Sequence, residues 1–196
     1  MIIAITGRVG SGKSTLLDML WTAGYVVQRA SFASALKTEV ANGLGVDPAY
    51  IAENKNAVRP VLVTWADFRR WQEDRYWIKR LIPMLTRLTT AGITPIVDDM
   101  RYTNEADWLG GGWGACLVHL NCPREDSIAY MIEKGLLAEE ADIVSHSPGE
   151  TQLLDYARFD IRIEAPRRRP LDSILGELIM RLTVLDAMPP KGDPRG

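Results

Sequence analysis

The sequence predicts an α/β domain, a mostly parallel sheet with helices on both faces. Three observations carry that reading. Short apolar runs alternate with longer segments of helical spacing along most of the chain. The first run, Ile2, Ile3, Ala4 and Ile5, is apolar throughout, as suits a strand buried on both faces. Directly after it stands Gly7-Arg8-Val9-Gly10-Ser11-Gly12-Lys13-Ser14, a G-x-x-x-x-G-K-S match in the strand–turn–helix context it requires.

The elements follow in order. Leu16, Leu17, Leu20 and Trp21 recur at helical spacing up to Gly24. Residues 25–27 form a short second strand. Ser34 caps a helix carrying Leu36, Val40 and Leu44 and ending at Gly45, and Asp47-Pro48 opens another. Residues 59–91 are helical in character, and Pro83 predicts a kink or break. Residues 93–97 form a buried strand ending in Asp98-Asp99, although Pro95 is awkward in a central strand. A polar turn and short helix then run out at Gly110-Gly111-Gly112. Residues 115–120 form another strand, 123–134 a helix, 136–151 a polar, mobile flap, 159–163 a strand, and 170–185 the final helix. The Pro/Gly/charge-rich residues 189–196 read as a disordered tail.

A chain of 196 residues suits one sizeable α/β domain, and a net charge of −2 argues against broad duplex-DNA binding. No nucleic acid or membrane partner is expected. No apolar run is long enough to span a bilayer, and Met1 leads directly into the first strand, with no room for a signal peptide. Cys116 and Cys122 show no metal-site spacing, so a reduced, cytoplasmic setting is expected.

The glycine-rich turn predicts a nucleoside-triphosphate site. Its amides and the following helix N-terminus cradle phosphate oxygens through Arg8, Val9, Gly10, Ser11, Gly12, Lys13, Ser14 and Thr15. Lys13 reaches the β- and γ-phosphates, and Ser14 is a ligand for Mg²⁺. A parallel sheet gathers its ligand sites at the carboxyl ends of its strands. Asp98 and Asp99 therefore share the crevice, pointing opposite ways, with Asp98 assigned to the metal and Asp99 to the acceptor side. A phosphorylated acceptor needs cations of its own, and Lys37, Arg59, Arg69, Arg70 and Arg101 are the candidates. Phe32, Trp65 and Trp71 are aromatic enough to flank a base, though rings at helical spacing more often build core. Arg124 stands where a lid arginine closes over the transferring group, and Arg167 at the adenine edge. His146 is a local hydrogen-bonding residue, since phosphoryl transfer needs little base help.

With these residues in view, the chain resembles the bacteriophage-type deoxynucleoside monophosphate kinases of the P-loop kinase superfamily. The resemblance rests on residues 7–14, Ser31-Phe32-Ala33-Ser34-Ala35-Leu36-Lys37, Asp98-Asp99-Met100-Arg101-Tyr102-Thr103-Asn104-Glu105 and His146-Ser147-Pro148-Gly149-Glu150. It implies a three-layer P-loop kinase fold with a five-stranded core, spanning 1–188, with an acceptor-binding helical region about 34–91 and a small lid about 123–151. It implies Mg²⁺-dependent transfer of the ATP γ-phosphoryl group to a dNMP. It places Ser31, Phe32, Lys37, Arg59, Trp65 and Arg69 beside the acceptor, with Arg101, Asn104 and Glu105 on its phosphate or sugar. The sequence departs from the pattern between Ser147 and Glu150, where an extra residue intervenes.

Two other readings share parts of this pattern. A kinase for another phosphorylated small molecule, such as dephospho-coenzyme A, shares the P-loop but calls for an acidic residue at 28–32, where none stands. A non-kinase module that binds ATP to regulate a partner has no need of acceptor-side arginines. A homodimer through the Trp-rich helices is compatible with the sequence.

Overall fold

The computed structural model describes residues 1–192. Its elements are β1 (Ile3–Gly7), α1 (Lys13–Thr22), β2 (Val27–Ala30), α2 (Phe32–Leu44), α3 (Pro48–Glu53), α4 (Lys55–Gln72), α5 (Tyr76–Thr90), β3 (Thr94–Val97), α6 (Thr103–Asp107), β4 (Cys116–Asn121), α7 (Arg124–Glu133), α8 (Ala138–Ser145), α9 (Pro148–Thr151), β5 (Ile161–Glu164) and α10 (Leu171–Val184). The five strands form one all-parallel sheet in the order β2-β3-β1-β4-β5.

Strand periodicity divides the core. Ile3 and Ile5 of β1 face one side, where they meet Leu16 and Leu20 of α1 and Ile174, Leu178 and Leu182 of α10. Ile2 and Ala4 face the other, against Trp77, Leu81 and Leu85 of α5. A sheet buried on both faces needs apolar residues at consecutive positions, which is why residues 2–5 show no polar alternation. A smaller cluster of Val40, Ala41, Ile51, Val58 and Leu62 ties α2, α3 and α4 together.

Several boundaries differ from the sequence reading. The helical region breaks at residues 73–75, between α4 and α5, and α5 runs unbroken through Pro83. Pro95 is accommodated because Thr94 donates to Val26 on the β2 side. The alternating Pro95 nitrogen therefore turns toward β1, whose pairing with β3 starts only at Ile96. The α2 helix begins at Phe32 rather than after Ser34, because its cap comes from a distant carboxylate described below. The stretch 136–151, expected as a polar flap, carries two helices, α8 and α9, and Glu140 accepts the Leu137 amide at the start of α8. The short helix α6 passes through the triglycine as one wide π-type turn (Trp108–Gly112).

Part of the expected tail is tied down. Val26 donates to the Pro190 carbonyl and Gly192 to that of Gly24, with Lys191 bridged to Tyr25. Residues 193–196 of that tail lie outside the described residues. No described helix is long and apolar enough to cross a membrane.

Candidate active site

The site forms where β1, β3 and β4 end. Between β1 and α1 the backbone turns through Gly10 (φ +82°) and Gly12 (φ +88°). Neither glycine tolerates a side chain. A Cβ on Gly10 would stand 2.7 Å from the Tyr130 ring, and one on Gly12 would stand 2.6 Å from Leu171. The loop therefore packs tightly against α7 and the start of α10. Beside it lies a cavity of about 280 Å³, lined by residues 10–15 of the loop and by Tyr130, Pro166, Arg167 and Leu171. All the loop residues expected from Gly10 to Thr15, together with Arg167, thus meet in one place. Arg167 is held there by its amide on Asp126 and its guanidinium on Glu133.

Lys13 folds back onto its own loop. Its ammonium donates to the carbonyls of Gly7 (2.6 Å) and Arg8 (2.9 Å) and to Ser11 Oγ (3.2 Å). Burial, and then the charge of Arg101, bring the amine down to about 7, with Glu150 and Asp98 opposing. Across the loop, Ser14 Oγ donates to Asp98 Oδ2 at 3.0 Å, and the same oxygen pairs with Arg29 Nε at 3.1 Å. Two adjacent oxygen donors of this kind suit a hard cation that takes its remaining ligands from phosphate and water. Ser14 and Asp98 are the residues that would hold Mg²⁺, and the residues present fit it.

The two aspartates have separate jobs. Asp99 turns away from the loop and accepts from Ser31 Oγ (2.7 Å), the Phe32 amide (3.1 Å) and the Ala33 amide (2.8 Å). It supplies the cap that α2 lacks locally, and burial pushes its carboxyl up despite these bonds. Asp99, expected as a catalytic group on the acceptor side, supports the helix that carries Lys37. Thr6 Oγ1, donating to the Met100 carbonyl at 2.8 Å, fastens the same loop to β1.

Arg101 faces the P-loop. It donates to the Gly149 carbonyl at 3.0 Å and pairs with Glu150, which in turn accepts the Val9 amide at 2.8 Å. Arg8 donates to the Ser145 carbonyl at 3.0 Å, and Arg124 reaches Ser145 Oγ at 3.0 Å and pairs with Asp142. The expected lid arginine is thus engaged with the C-terminal end of α8, and the α8–α9 segment is fastened to the loop at Arg8 and Val9. Glu105 is buried and accepts the amides of Arg101 (2.8 Å) and Tyr102 (3.1 Å), opening α6; burial pushes its carboxyl up to about 7.

Other expected acceptor residues lie elsewhere. Phe32 is 5% exposed within the core cluster, leaving almost no ring face for a base. Trp65 and Arg69 join Tyr76 around Glu39, at 2.9, 2.6 and 2.6 Å respectively. Burial alone would raise the Glu39 carboxyl, but those three donors outweigh it and hold it below its usual range. Asn104 donates to the carbonyl and carboxylate of Asp74, both at 3.0 Å, bracing the α4–α5 turn. Arg59 lines a separate cavity of about 450 Å³ with Leu136, Glu140, Ile143 and Val144, between α4 and α8. Trp71 is 82% exposed and stacks on Phe68.

No protein-family model and no curated protein matches the chain. Solved structures do. An unliganded sugar kinase from Janibacter sp. HTCC2649 aligns over 95% of this chain and 94% of its own, with a TM-score of 0.60 and 19% identity. The dephospho-CoA kinase from Campylobacter jejuni aligns over 94% and 98%, with a TM-score of 0.54 and 11% identity. TT1252 from Thermus thermophilus aligns over 91% and 97%, with a TM-score of 0.53 and 21% identity. The chain has the P-loop kinase fold.

Within that fold, sequence reasoning missed three residues. Arg29, one residue before the end of β2, pairs with Asp98, and its place near the crevice is the one sequence signal for it. Glu39 sits in the middle of α2 with no local pattern to mark it. His119 of β4 is 3% exposed and stacked on Phe159; burial first, then Arg162, lower it to about 4, and its Nδ1 is without a partner. A histidine in an apolar run gives no sign of this from sequence.

Proposed function

We propose that the protein is an ATP-dependent kinase of a phosphorylated small molecule, and that the acceptor is a deoxynucleoside 5′-monophosphate. The observation that carries the reading is the pairing of Ser14 with Asp98 beside Lys13, with Arg29 and Arg101 next to them. The loop amides and Lys13 bind the triphosphate and orient its terminal group. Ser14 and Asp98 would hold Mg²⁺, which would supply charge neutralisation on the phosphate oxygens. Arg29 and Arg101, each held by a carboxylate, are the cations positioned to receive the acceptor's phosphate. The α8–α9 segment, tethered to the loop where Arg8 donates to the Ser145 carbonyl, excludes water from the transfer.

Support for the kinase level comes from the fold and from this constellation, and the structural neighbours named above include kinases of a sugar and of dephospho-CoA. Support for the dNMP level comes from the sequence resemblance at 31–37 and 98–105. The test is an ADP-release assay with ATP and Mg²⁺ against each dNMP, with product masses measured, and with dephospho-coenzyme A and simple sugars as further arms. Stimulation by one or more dNMPs with the matching dNDP is the expected result. Stimulation by another acceptor alone overturns the dNMP assignment, and indifference to every acceptor overturns the kinase reading.

A further inference from the structure

Glu150 belongs to a four-residue helix, yet its side chain is only 6% exposed because it reaches into the P-loop. One carboxylate oxygen takes the Val9 amide and the other the Arg101 guanidinium. A loop amide joined by an arginine is the donor set that phosphoryl oxygens take. The Arg101–Glu150 pair lies apart from the cavity lined by residues 10–15 and borders a small space with Thr6, Arg8 and His119. Lys13 feels the charge of Arg101, with Glu150 opposing it, so the carboxylate balances cations gathered at this end of the loop.

We propose that the Val9 amide and Arg101 form a second anion subsite for a phosphoryl oxygen, and that the Glu150 carboxylate is its internal occupant, displaced when a phosphoryl group arrives. The inference rests on the reading of residues 10–15 as a nucleotide cradle. The phosphoryl oxygen has two sources, the terminal phosphate of a nucleoside triphosphate or the phosphate of an acceptor. While Glu150 stays in place it withholds Arg101 from either, so the protein keeps its transfer side neutral until a second phosphate competes for it.

The test is calorimetric titration of the full chain and of Glu150→Gln with ADP, with the non-hydrolysable analogue AMP-PNP, and with inorganic phosphate added to the ADP complex. Removing the competing charge should tighten one phosphate-bearing ligand about tenfold while ADP moves by less than about twofold. A gain confined to AMP-PNP assigns the subsite to the terminal phosphate, and a gain for inorganic phosphate assigns it to the acceptor side. Either supports the proposal. The gain must vanish in Glu150→Gln/Arg101→Ala. Affinities within about twofold throughout, ADP and AMP-PNP weakened in step, or a gain that survives loss of Arg101 each overturn it. Should Glu150→Gln fail to fold, Glu150→Ala, which also removes the competing charge, replaces it with the same expectation. If no adenine nucleotide binds even the wild type, the proposed function fails. Inorganic phosphate titrated alone into wild type and variant then still decides the subsite.

Discussion

Ser14 and Asp98, 84 residues apart in sequence, meet through a 3.0 Å hydrogen bond at the first turn of α1. The contact exists because β3 pairs directly with β1 in register, so the loops leaving both strands end side by side. Asp98→Asn keeps the shape and removes the charge. Turnover should fall by about a hundredfold or more, with the Mg²⁺ concentration for half-maximal rate rising. A Mg²⁺ titration of the steady-state rate checks it, and an unchanged Mg²⁺ requirement would remove Asp98 from the metal site.

Asp99 stands next to Asp98 but should behave differently. Asp99→Ala strips three donors at the start of α2, two of them backbone amides, and should cost ~2–3 kcal/mol of stability. Urea unfolding measures the loss. Activity per folded molecule should fall far less than in Asp98→Asn, and a comparable fall would show that Asp99 does more than hold α2.

Lys13 carries a cost in the free protein. Its folded value of about 7 lies below the ordinary 10.5, so between those limits the unfolded chain holds a proton that the folded one lacks. The penalty of burying the charge is full below about pH 7 and fades toward 10.5. The stability of wild type relative to Lys13→Met should therefore rise from pH 7 to pH 9, as read by urea unfolding at each pH. The same substitution should bring turnover to background.

Glu105 titrates with the opposite sign. Its folded value of about 7 lies above the ordinary 4.5, so the folded chain holds the extra proton in that window. Relative to Glu105→Gln, wild type should lose stability as pH rises from about 4.5 to 7, by at most about 3 kcal/mol, and change little above pH 8. A flat difference across pH 5–8 would contradict this burial account.

The fold was legible because its signals are local. The buried strand at residues 2–5, the glycine turn and the helical stripes each sit within one stretch of chain, and the periodicities name the element. What was not legible depends on tertiary contacts. Nothing near Phe32 announces that its helix is capped by Asp99, and local capping chemistry points to Ser34 instead. Nothing in 136–151 distinguishes a polar flap from two helices held to the loop by Arg8 and Glu150. On the P-loop side one motif names the residues, and the structure gathers residues 10–15 around one cavity. On the acceptor side, Trp65, Arg69 and Asn104 have the right chemistry, but the structure commits them to Glu39, Tyr76 and Asp74. Residue type alone does not reveal whether a side chain is already taken.

The central claim is that the γ-phosphoryl group of ATP passes to a phosphorylated acceptor rather than to water. Phosphorus NMR of the protein with ATP, Mg²⁺ and the four dNMPs follows that group directly. The account predicts that the γ-phosphate resonance declines while the terminal phosphate of a deoxynucleoside diphosphate appears in equal amount. A decline matched only by inorganic phosphate, or a spectrum that does not change, would contradict it.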